Sequence, residues 1–77
     1  MAYIQYRDNY AVITKTSGST EYIAEAPAGS SSADDVWRCR RITKVTAGGV
    51  TTSTLEWADG DTNFNNIADN LLTLSYS

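Results

Sequence analysis

The chain has 77 residues, a formal net charge of −3, one cysteine and no histidine. That length holds one domain, a lone Cys39 excludes an intrachain disulfide, and the missing histidines leave no tetrahedral zinc site within one chain. An acidic balance without a long basic run argues against nucleic-acid binding. No stretch approaches the length of a membrane span. The N-terminus, Met-Ala-Tyr-Ile-Gln-Tyr-Arg-Asp, carries no basic segment followed by an apolar run, so no signal peptide is expected. Synthesis in a cytoplasm follows as the expectation, and a reduced Cys39 on a core strand fits it. A chain this short buries only about 60% of the surface it exposes unfolded, so association with copies or partners is an expected support.

In chain order, Tyr3–Arg7 reads as a first strand, Asp8-Asn9 as a turn, and Tyr10–Thr14 as a second strand. Ser17-Gly18-Ser19 punctuates the chain before a third strand, Thr20–Glu25. Pro27, Gly29 and Ser30–Ser32 make a loop, since proline donates nothing to a ladder and serine competes for local bonds. Val36–Val45 and Val50–Trp57 are rich in β-branched and aromatic residues and flank Thr-Ala-Gly-Gly, which predicts a hairpin. Phe64, Ile67, Ala68 and Leu71 recur at helical spacing, so a single helical turn is predicted within 64–70, with Asn63 as its N-cap. Leu71–Tyr76 closes the chain as a strand with Leu72, Leu74 and Tyr76 on one face. The expected fold is all-β: a small antiparallel barrel or sandwich of five or six strands over residues 1–77.

Alternation along Val36–Val45 places Trp37 and Cys39 on one face and Arg38 and Arg40 on the other. It then turns Arg41 inward and Ile42 outward, so a β-bulge near Arg40–Arg41 is expected to return Ile42 to the core. Leu55 and Trp57 share a face of the second hairpin strand. The predicted core is Ile4, Val12, Ile23, Trp37, Cys39, Ile42, Leu55, Trp57, Phe64, Ile67, Leu72 and Leu74.

Four of the six basic residues, Arg38, Arg40, Arg41 and Lys44, lie on one strand. Arginine forks bind carboxylates bidentately, and the nearest acids in sequence are Glu56 and the Asp59/Asp61 loop. Intramolecular or intersubunit pairing is therefore the main expectation for this cluster, with a partner surface second. Asp59, Asp61, Asn63 and Asn65 alternate oxygens as calcium loops do. The EF-hand positions that need glycine and a bidentate glutamate hold Phe64 and Asn70, so an Asx-rich turn is the expected structure. Five tyrosines and two tryptophans offer contact surface; Tyr3 and Tyr6, near the terminus, are the tyrosines singled out for contact. Catalysis finds little support: no histidine serves as base, no glycine-rich phosphate loop is present, and Glu21, Glu25 and Glu56 have no cleft to work in. No cofactor is expected. The interaction residues read from the sequence are Arg38, Arg40, Arg41, Lys44, Asp59, Asp61, Tyr3 and Tyr6.

Three stretches carry a family resemblance: Glu21-Tyr-Ile-Ala-Glu-Ala-Pro-Ala-Gly-Ser through Asp34-Asp-Val-Trp-Arg-Cys-Arg-Arg-Ile, then Glu56-Trp-Ala-Asp-Gly-Asp-Thr-Asn-Phe-Asn-Asn-Ile, then Leu71-Leu-Thr-Leu-Ser-Tyr. From Thr20 to the C-terminus the chain resembles a group of short, mostly uncharacterised structural proteins of tailed bacteriophages. That group shares a Trp-x-[apolar]-[basic]-Arg-Ile strand, an Ala-Asp-Gly turn and a closing Leu-x-Tyr. The chain departs from the pattern at Cys39, where a branched aliphatic is usual, and at Ile67-Ala-Asp-Asn, which lacks a second aromatic and an arginine. The resemblance implies a non-enzymatic virion component, made in the host cytoplasm and present in multiple copies on capsid, neck or tail. Its partners would be other virion proteins and its own copies, with no nucleic acid, membrane or small-molecule substrate. It transfers no catalytic or binding residue. The competing expectations are a glycan- or receptor-binding β-module and a small host-encoded regulator that binds a protein.

Overall fold

The computed structural model of the chain describes residues 10–77. Four strands, β1 (Tyr10–Ser17), β2 (Thr20–Pro27), β3 (Arg38–Ala47) and β4 (Val50–Trp57), form one antiparallel sheet in the order β1-β2-β3-β4. The fold is all-β. Among the described residues the sheet is open, with neither barrel closure nor a second sheet. The predicted strand Tyr3–Arg7, with Ile4, Tyr3 and Tyr6, lies outside them.

Turn chemistry sets the meander. Ser17 pairs with Thr20 and Ala47 with Val50, so each hairpin has a two-residue loop. Gly48 and Gly49 both have positive φ, 59° and 79°, the geometry of the type I′ turn whose twist matches its strands. β2 begins at Thr20, opposite Thr43, whereas β3 and β4 continue to the Ala47/Val50 turn. Lys44–Ser53 is thus a two-stranded ribbon projecting about 13 Å past the sheet body, at roughly 3.3 Å per residue. Its side chains are exposed on both faces.

One face of the sheet is covered by the chain's last third. The core there is Ala24, Ala26, Trp37, Cys39, Ala58, Ala68 and Leu71, with Ile13, Tyr22, Leu74 and Tyr76 packed at its margin. Small residues at Ala24, Ala26 and Ala58 let the covering segment approach closely, and Trp37 fills the remaining volume. Trp37 Nε1 donates to Ser31 O at 2.9 Å, while Trp37 and Asn66 exchange both backbone bonds at 2.9 Å. These bonds satisfy polar groups that burial would otherwise leave unpaired. Tyr76 donates to Leu71 O at 2.6 Å, and Ala58 bridges Tyr76, which fastens the C-terminus to the end of β4.

Several expectations change. No bulge interrupts β3: Arg38–Thr43 pair one to one with β2, and Arg40–Ala47 pair one to one with β4. Arg41 stays on the covered face because Glu56, directly opposite, pairs with it and the Tyr76 ring lies 5.0 Å from its guanidinium carbon. Neutralising the inward charge replaces the register shift, and Ile42 remains on the other face, half-buried. The helical turn shrinks to a 3₁₀ turn, Ala68–Asn70, preceded by extended Ile67 with no side-chain cap, so Asn63 is not its N-cap. Leu71–Tyr76 is a turn plus a single bridge rather than a strand; Thr73 N–H bonds back to Asn70 O at 2.8 Å. Leu71 is fully buried and Leu72 is exposed, inverting the expected face there. Of the predicted core, Trp37, Cys39 and Ile23 are buried, and Ile42, Trp57, Ile67 and Leu74 are half-buried. Val12, Leu55 and Phe64 are exposed, at 56%, 51% and 39%.

Candidate functional site

The uncovered face of the sheet holds the densest arrangement of contact-forming side chains. Pairing puts Glu25 directly across from Arg38, and Arg40 between Ile23 and Trp57. Alternation aims all of these at the same side. Glu25 Oε1 accepts from Arg38 Nη2 at 2.8 Å, Arg38 Nε at 3.2 Å and Arg40 Nη1 at 2.6 Å. The two guanidiniums both lie near the Trp57 ring, 5.5 and 5.6 Å from its centroid, and Arg38 also lies 4.7 Å from that of Phe64. Phe64 in turn stacks on Tyr10 at 6.4 Å. The result is a ladder, Tyr10–Phe64–Arg38–Trp57–Arg40, with one carboxylate fixing both cations. Cation–π contacts of this kind hold the arginine planes in place and contribute about 0.5–2 kcal/mol each.

The electrostatics follow from this geometry. Partial burial pushes the Glu25 carboxyl upward, but hydrogen bonds from Arg38 and then Arg40, with their charges, outweigh it and leave it below the ordinary value of 4.5. Glu25 is therefore ionised at neutral pH and carries one charge against two. The site keeps a surplus positive charge within an acidic chain, framed by Val12, Ile42 and Leu55. On the covered side, burial raises the Cys39 thiol from 9.0 to about 11, which makes it a poor nucleophile at neutral pH.

The residues singled out from the sequence separate. Arg38 and Arg40 come together on the open face. Arg41 is on the covered face, paired with Glu56 as expected. Lys44 sits at the root of the projecting ribbon, beside a shallow notch formed with Thr16, Ser19 and Glu21. Asp59 and Asp61 enter none of the ion pairs among the described residues; the acid that takes up Arg38 and Arg40 is Glu25 instead. Asp61 Oδ1 accepts the Asn63 N–H at 3.0 Å, an Asx turn. Among the described residues no group of three metal-ligating acidic or sulfur side chains converges. Sequence reasoning missed Glu25 as the partner, and placed Trp57 and Phe64 in the core rather than beside the arginines. The alternation Ile23/Glu25 on β2 was the signal available for Glu25.

Compared with family models, with curated proteins and with solved structures, the chain matches none.

Proposed function

We propose that the chain is a non-enzymatic structural protein of a tailed-phage virion, attached in multiple copies to capsid, neck or tail proteins through its open Arg–aromatic face. The observation that carries this reading is the ladder of Tyr10, Phe64, Arg38, Trp57 and Arg40 held in the open by Glu25. Tryptophan, tyrosine and arginine dominate the energetics of protein interfaces. Here they are already ordered, so little side-chain entropy is lost on docking. The surplus positive charge suits an acidic patch on the partner. The apolar frame of Val12 and Leu55 adds area that water leaves on contact. The barrel or sandwich of five or six strands belongs to the same proposal: strands beyond β1–β4 come from a neighbouring protein in the particle.

The test uses a triple variant, Glu25→Ala with Arg38→Ala and Arg40→Ala, which removes the cations without leaving Glu25 unpaired. With circular dichroism confirming the sheet, the variant is expected to fall several-fold in copy number per particle. Unchanged incorporation would refute docking through this face.

A further inference from the structure

The outer edge of β4 points to a second docking surface, and we propose that it takes β4 of a second copy of this chain, in antiparallel register about Thr52. In a two-residue hairpin the closing pair, Ala47 and Val50, exchanges both backbone bonds, so Val50, Thr52 and Thr54 turn their N–H and C=O toward β3. Thr51, Ser53 and Leu55 turn theirs outward. Trp57 has the same parity, and its outward groups exchange bonds of 3.1 and 3.0 Å with Ser77. The C-terminus thus uses the edge as a pairing template at one end, and among the described residues no strand pairs with the outer edge of Thr51–Leu55.

Natural edge strands are protected by lysine, proline, bulges or short length. β4 has none of these. Val45–Leu55 contains no charged residue and no proline, its register is unbroken, and all of it is exposed. These properties select the occupant. Antiparallel pairing about a two-fold axis sets each residue against its own kind, so a charged edge would set like charges opposite each other. Here Thr52 meets Thr52, and Thr51 meets Ser53 from either side, pairs that favour a sheet. Ser77 occupies the place beside Trp57, so a register about Ser53 would bring Gly49 of the second copy onto it, whereas a register about Thr52 sets Gly49 beside Leu55 and clears it. The product is a continuous eight-stranded sheet with both Arg–aromatic faces still open. The inference deepens the proposed function by supplying the contact between copies, and requires no virion to be tested.

A single strand pairing covers less than the roughly 1,200 Å² of a standard interface, so self-association on the order of 10 µM to 1 mM is expected. Sedimentation equilibrium of the full chain over that range reads it out. Thr52→Lys brings two ammonium groups together at the axis. Ser53→Pro removes outward N–H groups that β3 does not use. Each is expected to weaken association about tenfold or more, with the circular dichroism of the wild type retained. Amide exchange at Thr51 and Ser53 is expected to slow as concentration rises. A wild type that stays monomeric throughout the range overturns the inference, as does a dimer that both variants leave intact. A dimer that never enters particles supports the edge pairing and rejects the virion reading; a monomer that enters them does the reverse.

Discussion

Glu25→Gln is the sharpest test of how the open face is built. The substitution keeps the shape and one acceptor oxygen of Glu25 but removes the charge to which Arg38 and Arg40 both donate. The side chains of Glu25, Arg38 and Arg40 are 19%, 29% and 24% exposed, so solvent screens them only in part. Two ion pairs become hydrogen bonds from a guanidinium to a neutral amide, a loss of roughly 1–3 kcal/mol. Two guanidiniums are also left beside each other near Trp57 with no counter-charge. Urea unfolding followed by tryptophan fluorescence measures this; with a slope near 1 kcal/mol/M for a chain of this size, the midpoint falls by about 1–3 M. The pH dependence supplies an internal control. A carboxyl held below its ordinary value contributes stability that is present above 4.5 and lost as pH falls through the lowered value. The wild type is therefore expected to converge on Glu25→Gln as the solution is acidified below 4.5. A difference under about 0.3 kcal/mol at pH 7, the range of a solvated surface pair, would refute the view that Glu25 organises this face.

Trp37→Ala removes the largest buried side chain together with the bond to Ser31 and is expected to cost about 3–5 kcal/mol. Loss of the cooperative thermal transition by circular dichroism reports it. Cys39→Ser sets a hydroxyl in an apolar site and is expected to cost about 1–3 kcal/mol in urea unfolding, whereas Cys39→Val, nearer in character to the site, is expected to cost less. The native Cys39 thiol, buried and raised to about 11, is expected to react with a thiol reagent at pH 8 only at the rate of unfolding.

The local rules were legible in the sequence, and the long-range choices were not. Gly18 and the Gly48-Gly49 pair announce hairpins because left-handed turn residues need no tertiary context. Alternation sorted Trp37 and Cys39 from Arg38 and Arg40 correctly for the same reason. Which face of the sheet becomes the core depends on where Ala58–Ser77 folds back, and alternation carries no such information. Val12 and Leu55 were assigned inside for being apolar, while Ala24, Ala26 and Ala58, the residues that admit the covering segment, passed as unremarkable. Alternation asks for a bulge that returns Ile42 to the core, but Glu56 opposite Arg41 neutralises the inward charge and the register runs on unbroken. The Arg38/Arg40 cluster was visible as composition; its partner Glu25 is brought to it only by the β2–β3 register, and sequence proximity favoured Asp59 and Asp61.

The central claim is that this open face attaches the chain to a virion. Quantitative mass spectrometry of purified particles, produced from the genome that encodes the chain, tests it most directly. The account predicts the intact chain in the particles at several copies each, in fixed ratio to the capsid, neck or tail protein it contacts. Particles that contain every other virion protein and none of this chain would contradict it.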